Sequence, residues 1–228
     1  MSPHYTLPAL CAFVLLFSIS NAQPVLKSSN IAPVGFKAYM YPTAAAISPG
    51  EPGPDQVWDY TKTKTVAVDT ADHWVKVVKA SATPFYKLFG KADFTICVSF
   101  SHDTLGYAYY VLQPTQLAFI GEDVKSETDN DNFSLPKASI KLPFFYGDSL
   151  IAPFQELGHK KDTIRLYYDA WGTLKTPFGT FDKVMRIKTS KPEDPPGAFE
   201  YYFWRENPMI PVMEIDGPDD YFFIPVKQ

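Results

Sequence analysis

Twenty-one prolines are spread over the 228 residues of this chain, and their punctuation limits its folds more than any other feature. A proline inside a helix removes a hydrogen bond and clashes with the preceding turn, at a cost of about 3 kcal/mol or more. Long runs of good helix formers are missing between the breaks. What lies there instead are short segments rich in aromatic and β-branched residues, bounded by Pro, Gly, Asp or Asn. That is the pattern of an all-β chain.

Strand-like segments are expected at 35–41, in the "VWDY" run after the Pro/Gly loop 47–56, at 94–100, 106–112 and 116–120, then at 163–174, 180–189, 198–205, 212–215 and 221–226. Residues 75–79 read as a further strand, or as part of a short helix within "ADHWVKVVKASATPFYKLFG"; periodicity does not separate the two. The three segments from 94 to 120 suggest an antiparallel meander. The acidic stretch 121–137 reads as an exposed loop. In "DTIRLYYDA", Ile164, Leu166, Tyr168 and Ala170 fall on one face. In "AFEYYFWRE", Phe199, Tyr201 and Phe203 oppose Glu200, Tyr202 and Trp204, so both faces are aromatic. Such a strand is covered on two sides, or one of its faces lines a concavity. The expected architecture is a mainly all-β, curved antiparallel sheet or half-barrel with one or two short helices.

The first residues, "MSPHYTLPALCAFVLLFSISNAQ", carry an apolar run at 7–19. It falls short of the roughly 20 residues a membrane-spanning helix needs. Small residues follow, and Ser20-Asn21-Ala22 fits a secretory cleavage site between Ala22 and Gln23. The expected organisation is a signal peptide over 1–22 and a single antiparallel β domain over 23–228, exported to the periplasm, the outer membrane or the exterior. Residues 1–22 hold no Lys, Arg, Asp or Glu, so the net charge of −4 belongs to the remainder. That sign argues against nucleic acid or an anionic membrane surface as partner. Removing the leader takes Cys11 with it and leaves Cys97 alone, within the apolar run "DFTICVSF", where a buried, unreactive thiol is expected.

Sites of chemistry are weakly marked. "TDNDN" (128–132) lacks the Gly and the twelfth-position Glu of a calcium loop. His73, His102 and His159 lack zinc-ligand spacing, so neither metal nor cofactor is expected. "GDSL" (147–150) matches a short esterase nucleophile block but lies late in the chain, and Gly-Asp as a turn between two strands is the expected role; an ester hydrolase would need Ser149 near a His. Carboxylates near strand ends, among them Asp169, Glu200, Glu206, Glu214, Asp216, Asp219 and Asp220, would suit a glycosidase if two converged on a cleft.

The most organised stretch, "YYDAWGTLKTPFGTFDKVMRIKTS" (167–190), reads as a hairpin. Gly172 marks a bulge or a close backbone approach, and Pro177-Phe178-Gly179 is turn chemistry. Asp169 and Arg186 are expected to face each other across it as an exposed pair worth well under about 1 kcal/mol.

Four blocks taken together, "SPGEPGPDQVWDY" (48–60), "LPFFYGDS" (142–149), "DAWGTLKTPFGTFDKVMRIKT" (169–189) and "EYYFWRENPMIPVMEI" (200–215), resemble those of a Bacteroidota-type family of exported β-proteins of unknown function. Members often continue into a C-terminal secretion sorting domain. The resemblance implies no catalytic residues. It suggests a strongly curved antiparallel sheet, similar to the half-barrels of periplasmic lipoprotein carriers. The function expected is a non-catalytic binding or interaction module of the cell envelope, its partner a protein or an apolar or glycan ligand. A carrier of lipid and a secreted esterase or glycan hydrolase are the alternatives. Trp171, Tyr202 and Trp204 are the residues expected to contact a ligand.

Overall fold

The computed structural model describes residues 23–101, 104–124, 132–191, 194–195, 197–216 and 220–226. The expected leader over 1–22 with Ala22 of its cleavage site, His102, most of the "TDNDN" stretch and Asp219 lie outside the described residues.

Thirteen strands form the structure: β1 (Lys37–Pro42), β2 (Gly53–Asp59), β3 (Trp74–Val78), β4 (Phe94–Ser101), β5 (Thr104–Gln113), β6 (Gln116–Val124), β7 (Asn132–Lys141), β8 (Ser149–Glu156), β9 (Asp162–Thr176), β10 (Gly179–Ser190), β11 (Glu200–Arg205), β12 (Ile210–Ile215) and β13 (Tyr221–Pro225). Helical structure among the described residues amounts to two three-residue 3-10 turns, Ser28–Asn30 and Ala80–Ala82.

The sheet does more than curve. Its order runs β10-β11-β12-β13-β1-β3-β4-β5-β6-β7-β8-β9, and β9 pairs again with β10. Twelve antiparallel strands therefore close a barrel, where the sequence suggested a half-barrel. Closure removes the exposed edges that an open sheet would leave for aggregation. β2 is the exception, lying parallel to β9. One edge of β9 is thus divided: β8 pairs with its first half, at 162–167, and β2 with its second, at 170–175.

The acidic stretch 121–137 is corrected at both ends. Gly121–Val124 finish β6, and Asn132–Lys137 open β7. Its polar composition hid the apolar anchor at Phe133, whose ring packs 5.3 Å from Phe119 and 5.9 Å from Phe154. Residues 79–93, between β3 and β4, fold as turns against the outside of β4–β6. There Phe89 stacks on Tyr109 at 4.3 Å, and the Thr83 and Tyr109 hydroxyls bond at 2.7 Å. Cys97 is buried and forms no disulfide.

Register gives the wall two faces. Ile187, Tyr202, Glu214 and Tyr221 stand opposite one another on successive strands and point inward. Arg186, Phe203, Met213 and Phe222 form the matching outward row. Trp58 of β2 covers that row, its ring 5.0 Å from Phe203 and perpendicular to it. The aromatic character of both faces of β11 follows from this double coverage.

An extra residue in β9 breaks the alternation expected there. Ile187 pairs with Tyr168 and Arg186 with Ala170, which leaves Asp169 as a bulge. Past the bulge the faces exchange: Ile164 and Leu166 point inward, while Ala170 joins the outer cluster with Trp58 and Val184. Asp169 then sits beside Arg186. The guanidinium Nε and Nη2 donate to the two carboxylate oxygens at 2.9 and 3.0 Å, and Nη1 donates to the carbonyls of Pro49 and Gly50. The expected exposed pair is in fact buried, with the Arg186 side chain 1% and that of Asp169 13% exposed. The covering loop ahead of β2, remote in sequence, removes it from water.

Candidate functional site

One end of the barrel is stoppered by the segment that precedes β1. Leu26 exchanges backbone hydrogen bonds with Phe144 in the β7–β8 turn, at 3.3 and 3.1 Å. Ile31 bridges Met209 in the β11–β12 turn. The Tyr168 hydroxyl donates to the carbonyl of Pro24 at 3.0 Å. Leu26, Phe144, Met209 and Tyr168 are all buried in one cluster, a packed floor.

Above that floor the interior is unevenly filled. Towards β7–β9 the protein's own side chains close-pack, with Ala152, Phe154, Ile164 and Leu166 buried together. The remainder is a cavity of about 620 Å³. Every barrel strand except β8 contributes to its walls. Ile31, Ala32, Met209 and Ile210 line its floor, and Phe94, Ile96, Val98, Ala108, Tyr110, Leu117 and Phe119 much of one wall. Phe100 and Asp216, both exposed, line it at the opposite end and mark a mouth.

The polar groups of the β10–β12 wall lie in its upper part. Thr189 of β10 stands opposite Glu200 of β11, and Tyr202 opposite Glu214 of β12. The Thr189 and Tyr202 hydroxyls each donate to Glu200 Oε2 at 3.1 Å. Burial pushes the Glu214 carboxyl up to about 7, and the negative charge of Asp216 adds to this, partly offset by a hydrogen bond from Tyr202. The Tyr202 phenol is raised well above its ordinary range by burial and by the Glu214 and Glu200 carboxylates. Burial likewise raises Tyr110, with Glu122 and Glu214 contributing.

Of the three residues singled out in the sequence, Tyr202 and Trp204 line the cavity. Trp171 lies opposite Met185 and is buried with it beside Tyr168 in the packed cluster. The bulge at Asp169, invisible to a simple alternation, shifts the register of everything after it. In the sequence, Glu214 is one of seven carboxylates near strand ends with nothing to set it apart from the others, and Tyr110 carries no mark at all. Their inward placement could have been found from the alternation of "IPVMEI" and "TLGYAYYVL" once closure of the sheet was known.

The remaining candidates are placed as follows. Ser149 is exposed and opens β8 after a turn in which Gly147 has φ 86°. The Asp148 carboxylate accepts from Lys141 at 2.7 Å. His159 follows the far end of β8 and lies 3.7 Å from Glu156. No group of three or more His, Cys, Asp or Glu able to hold a metal occurs among the described residues. No helix among them is long and apolar enough to cross a membrane.

The fold and cavity define a class, a closed antiparallel barrel with a largely apolar lumen open at one end. No family model matches the sequence, and no match is found among curated proteins or solved structures.

Proposed function

We propose that this chain is an exported binding protein that carries one apolar ligand inside the barrel, the barrel acting as container and not as catalyst. The observation that carries this reading is the cavity: about 620 Å³, walled by apolar and aromatic side chains from nearly every strand. Ligand sites for small molecules typically span about 300–1,000 Å³ and combine apolar walls with a few placed polar groups. An interior meant only for stability would be close-packed, because an unfilled void forfeits dispersion contacts along its lining. Export is supported by the apolar leader and by the stopper, which begins at Pro24, just beyond the expected cleavage after Ala22. The chain left after cleavage keeps every residue of the floor.

The test is native mass spectrometry of the protein purified without detergent, followed by titration of the stripped protein with an environment-sensitive apolar dye. Co-purifying apolar mass and saturable dye binding at one site are expected. Ala108→Trp, which fills the lumen from β5, is expected to abolish dye binding while the circular dichroism spectrum is retained. Absence of any saturable apolar binding in the unsubstituted protein overturns the reading.

One observation favours a second reading, hydrolysis of a glycan or ester. Glu200 and Glu214 converge on Tyr202 in the cavity, and the raised Glu214 is the kind of carboxyl that serves as a general acid. The largely apolar lining counts against it, since a sugar brings many hydroxyls that need partners. Turnover of aryl glycosides or esters that disappears in Glu214→Gln would establish hydrolysis over carriage.

A further inference from the structure

The lumen is graded from floor to mouth, and the gradient bears on which end of a ligand goes where. Along β11 the inward side chains are Trp204, Tyr202 and Glu200. At about 3.4 Å per residue, they climb roughly 14 Å. Trp204 stands opposite Met185 and Pro211, close to Met209 and Ile210, whereas Glu200 stands opposite Thr189 near the rim. The lower lumen is lined mainly by apolar side chains, so a polar group placed there would find few partners.

The sign of the charge is equally uneven. Four carboxylates, Glu122, Glu200, Glu214 and Asp216, line the cavity, together with two lysines, Lys76 and Lys137. Lys76 lies on the opposite face of β3 from Val75 and Val77, across from Cys97, and is exposed. Its ammonium points away from the lumen. Lys137 Nζ lies 5.7 Å from the Phe154 ring, towards the packed side. The β11–β13 wall is therefore negative, and the rings of Tyr202 and Tyr221 stand among its carboxylates. Carboxylates interleaved with aromatic faces favour a cation, through charge and through the ring quadrupole. They oppose a second anion by like-charge repulsion.

We propose that the lumen takes an amphiphile with a cationic amine head, its tail over the Ile31–Met209 floor and its head between Glu200, Glu214 and Tyr202. The inference rests on the reading of the barrel as a container and adds the chemistry of its ligand. The apolar cavity accounts for the tail and the β11–β12 wall for the head. Bound amine supplies a counter-charge to Glu214, so binding and ionisation of that carboxyl reinforce each other.

The experiment compares three ligands of equal chain length, dodecylamine, dodecanol and dodecanoate, by dye displacement from the stripped protein below their micellar concentrations. Dodecylamine is expected to displace the dye at about tenfold lower concentration than dodecanol, a difference within reach of one desolvated ion pair. Dodecanoate is expected to be the weakest. In the Glu200→Gln/Glu214→Gln protein the ratio between amine and alcohol should fall towards one. Glu214→Gln alone, which preserves shape and removes a destabilising buried charge, keeps the comparison available if the double variant does not fold. Dodecanoate binding as well as or better than dodecylamine overturns the head-group assignment and leaves the container intact. Failure of all three ligands and of the dye overturns the container itself.

Discussion

Arg186 is the most consequential single side chain in the wall. Its five N–H donors are largely spoken for: two bonds to Asp169 and two to the backbone of Pro49 and Gly50, with the Tyr201 ring 5.2 Å away. Removing one partner of a buried pair leaves the other charge uncompensated, which costs about 3–5 kcal/mol. Asp169→Asn is expected to lower the stability measured by urea unfolding by that order. Arg186→Lys should not restore it, because an ammonium cannot fork to a carboxylate and two carbonyls at once. A loss below about 1 kcal/mol in Asp169→Asn, the level of an exposed pair, would show that water reaches the guanidinium. Gly172 carries a second residue-scale prediction. A Cβ there would lie 1.9 Å from the Gln56 carbonyl oxygen of β2, so Gly172→Ala must push β2 off β9. Faster amide exchange at Gln56–Asp59 is the readout, and unchanged exchange would contradict the register.

At the scale of elements, the hairpin β9–β10 was legible and its surroundings were not. The turn at Pro177–Gly179, the close approach at Gly172 and the strand pattern of β10 depend on residues adjacent in sequence, and local chemistry specifies them. The burial of Arg186 depends on a loop more than 130 residues away, and no local pattern encodes such a contact. The same limit applies to the cavity. Inward and outward faces of β11 could be separated by alternation, but whether the inner face was filled depended on where the other barrel strands closed. Trp171 illustrates the reach of one extra residue, since the bulge turns it onto the same face as Ile164 and Leu166, where it packs in the buried cluster and does not line the open part of the lumen.

The N-terminal stopper shows how an element without strand structure of its own completes a barrel. Its hold is Leu26, fully buried against Phe144, together with a few backbone bonds. Leu26→Ala is expected to cost about 2–5 kcal/mol, from lost transfer energy and a cavity at the floor. The dye should then bind with altered fluorescence as water enters from below. An unchanged dye spectrum alongside a normal stability loss would mean that the floor holds without the stopper.

For the whole molecule, the consequence of an acidic, partly dehydrated lumen is an inverted pH dependence. Glu214 ionises near 4.5 when freely solvated and at about 7 in the barrel. Below pH 4.5 both folded and unfolded states carry the proton, and the group contributes nothing. Between 4.5 and 7 the folded state holds a proton that the unfolded state has released, so stability declines as pH rises. Above 7 the full penalty is present, on the order of 3 kcal/mol, since each pH step between the two midpoints adds about 1.4 kcal/mol. The groups facing Glu214 are Tyr202 and Glu200 on β11, Asp216 after its own strand, Tyr221 on β13 and Asp220 just before it, and Tyr110 across the lumen. None of these is a cation, so none offsets the charge. Urea midpoints measured from about pH 5 to 8, a range that brackets the transition, should fall with pH in the ligand-free protein and flatten in Glu214→Gln. Addition of dodecylamine should flatten the unsubstituted curve as well, because the amine brings a positive charge to the Glu214 carboxylate. Parallel curves for Glu214→Gln and the unsubstituted protein would show that Glu214 is solvated in the lumen, and the negative wall would then have no bearing on stability.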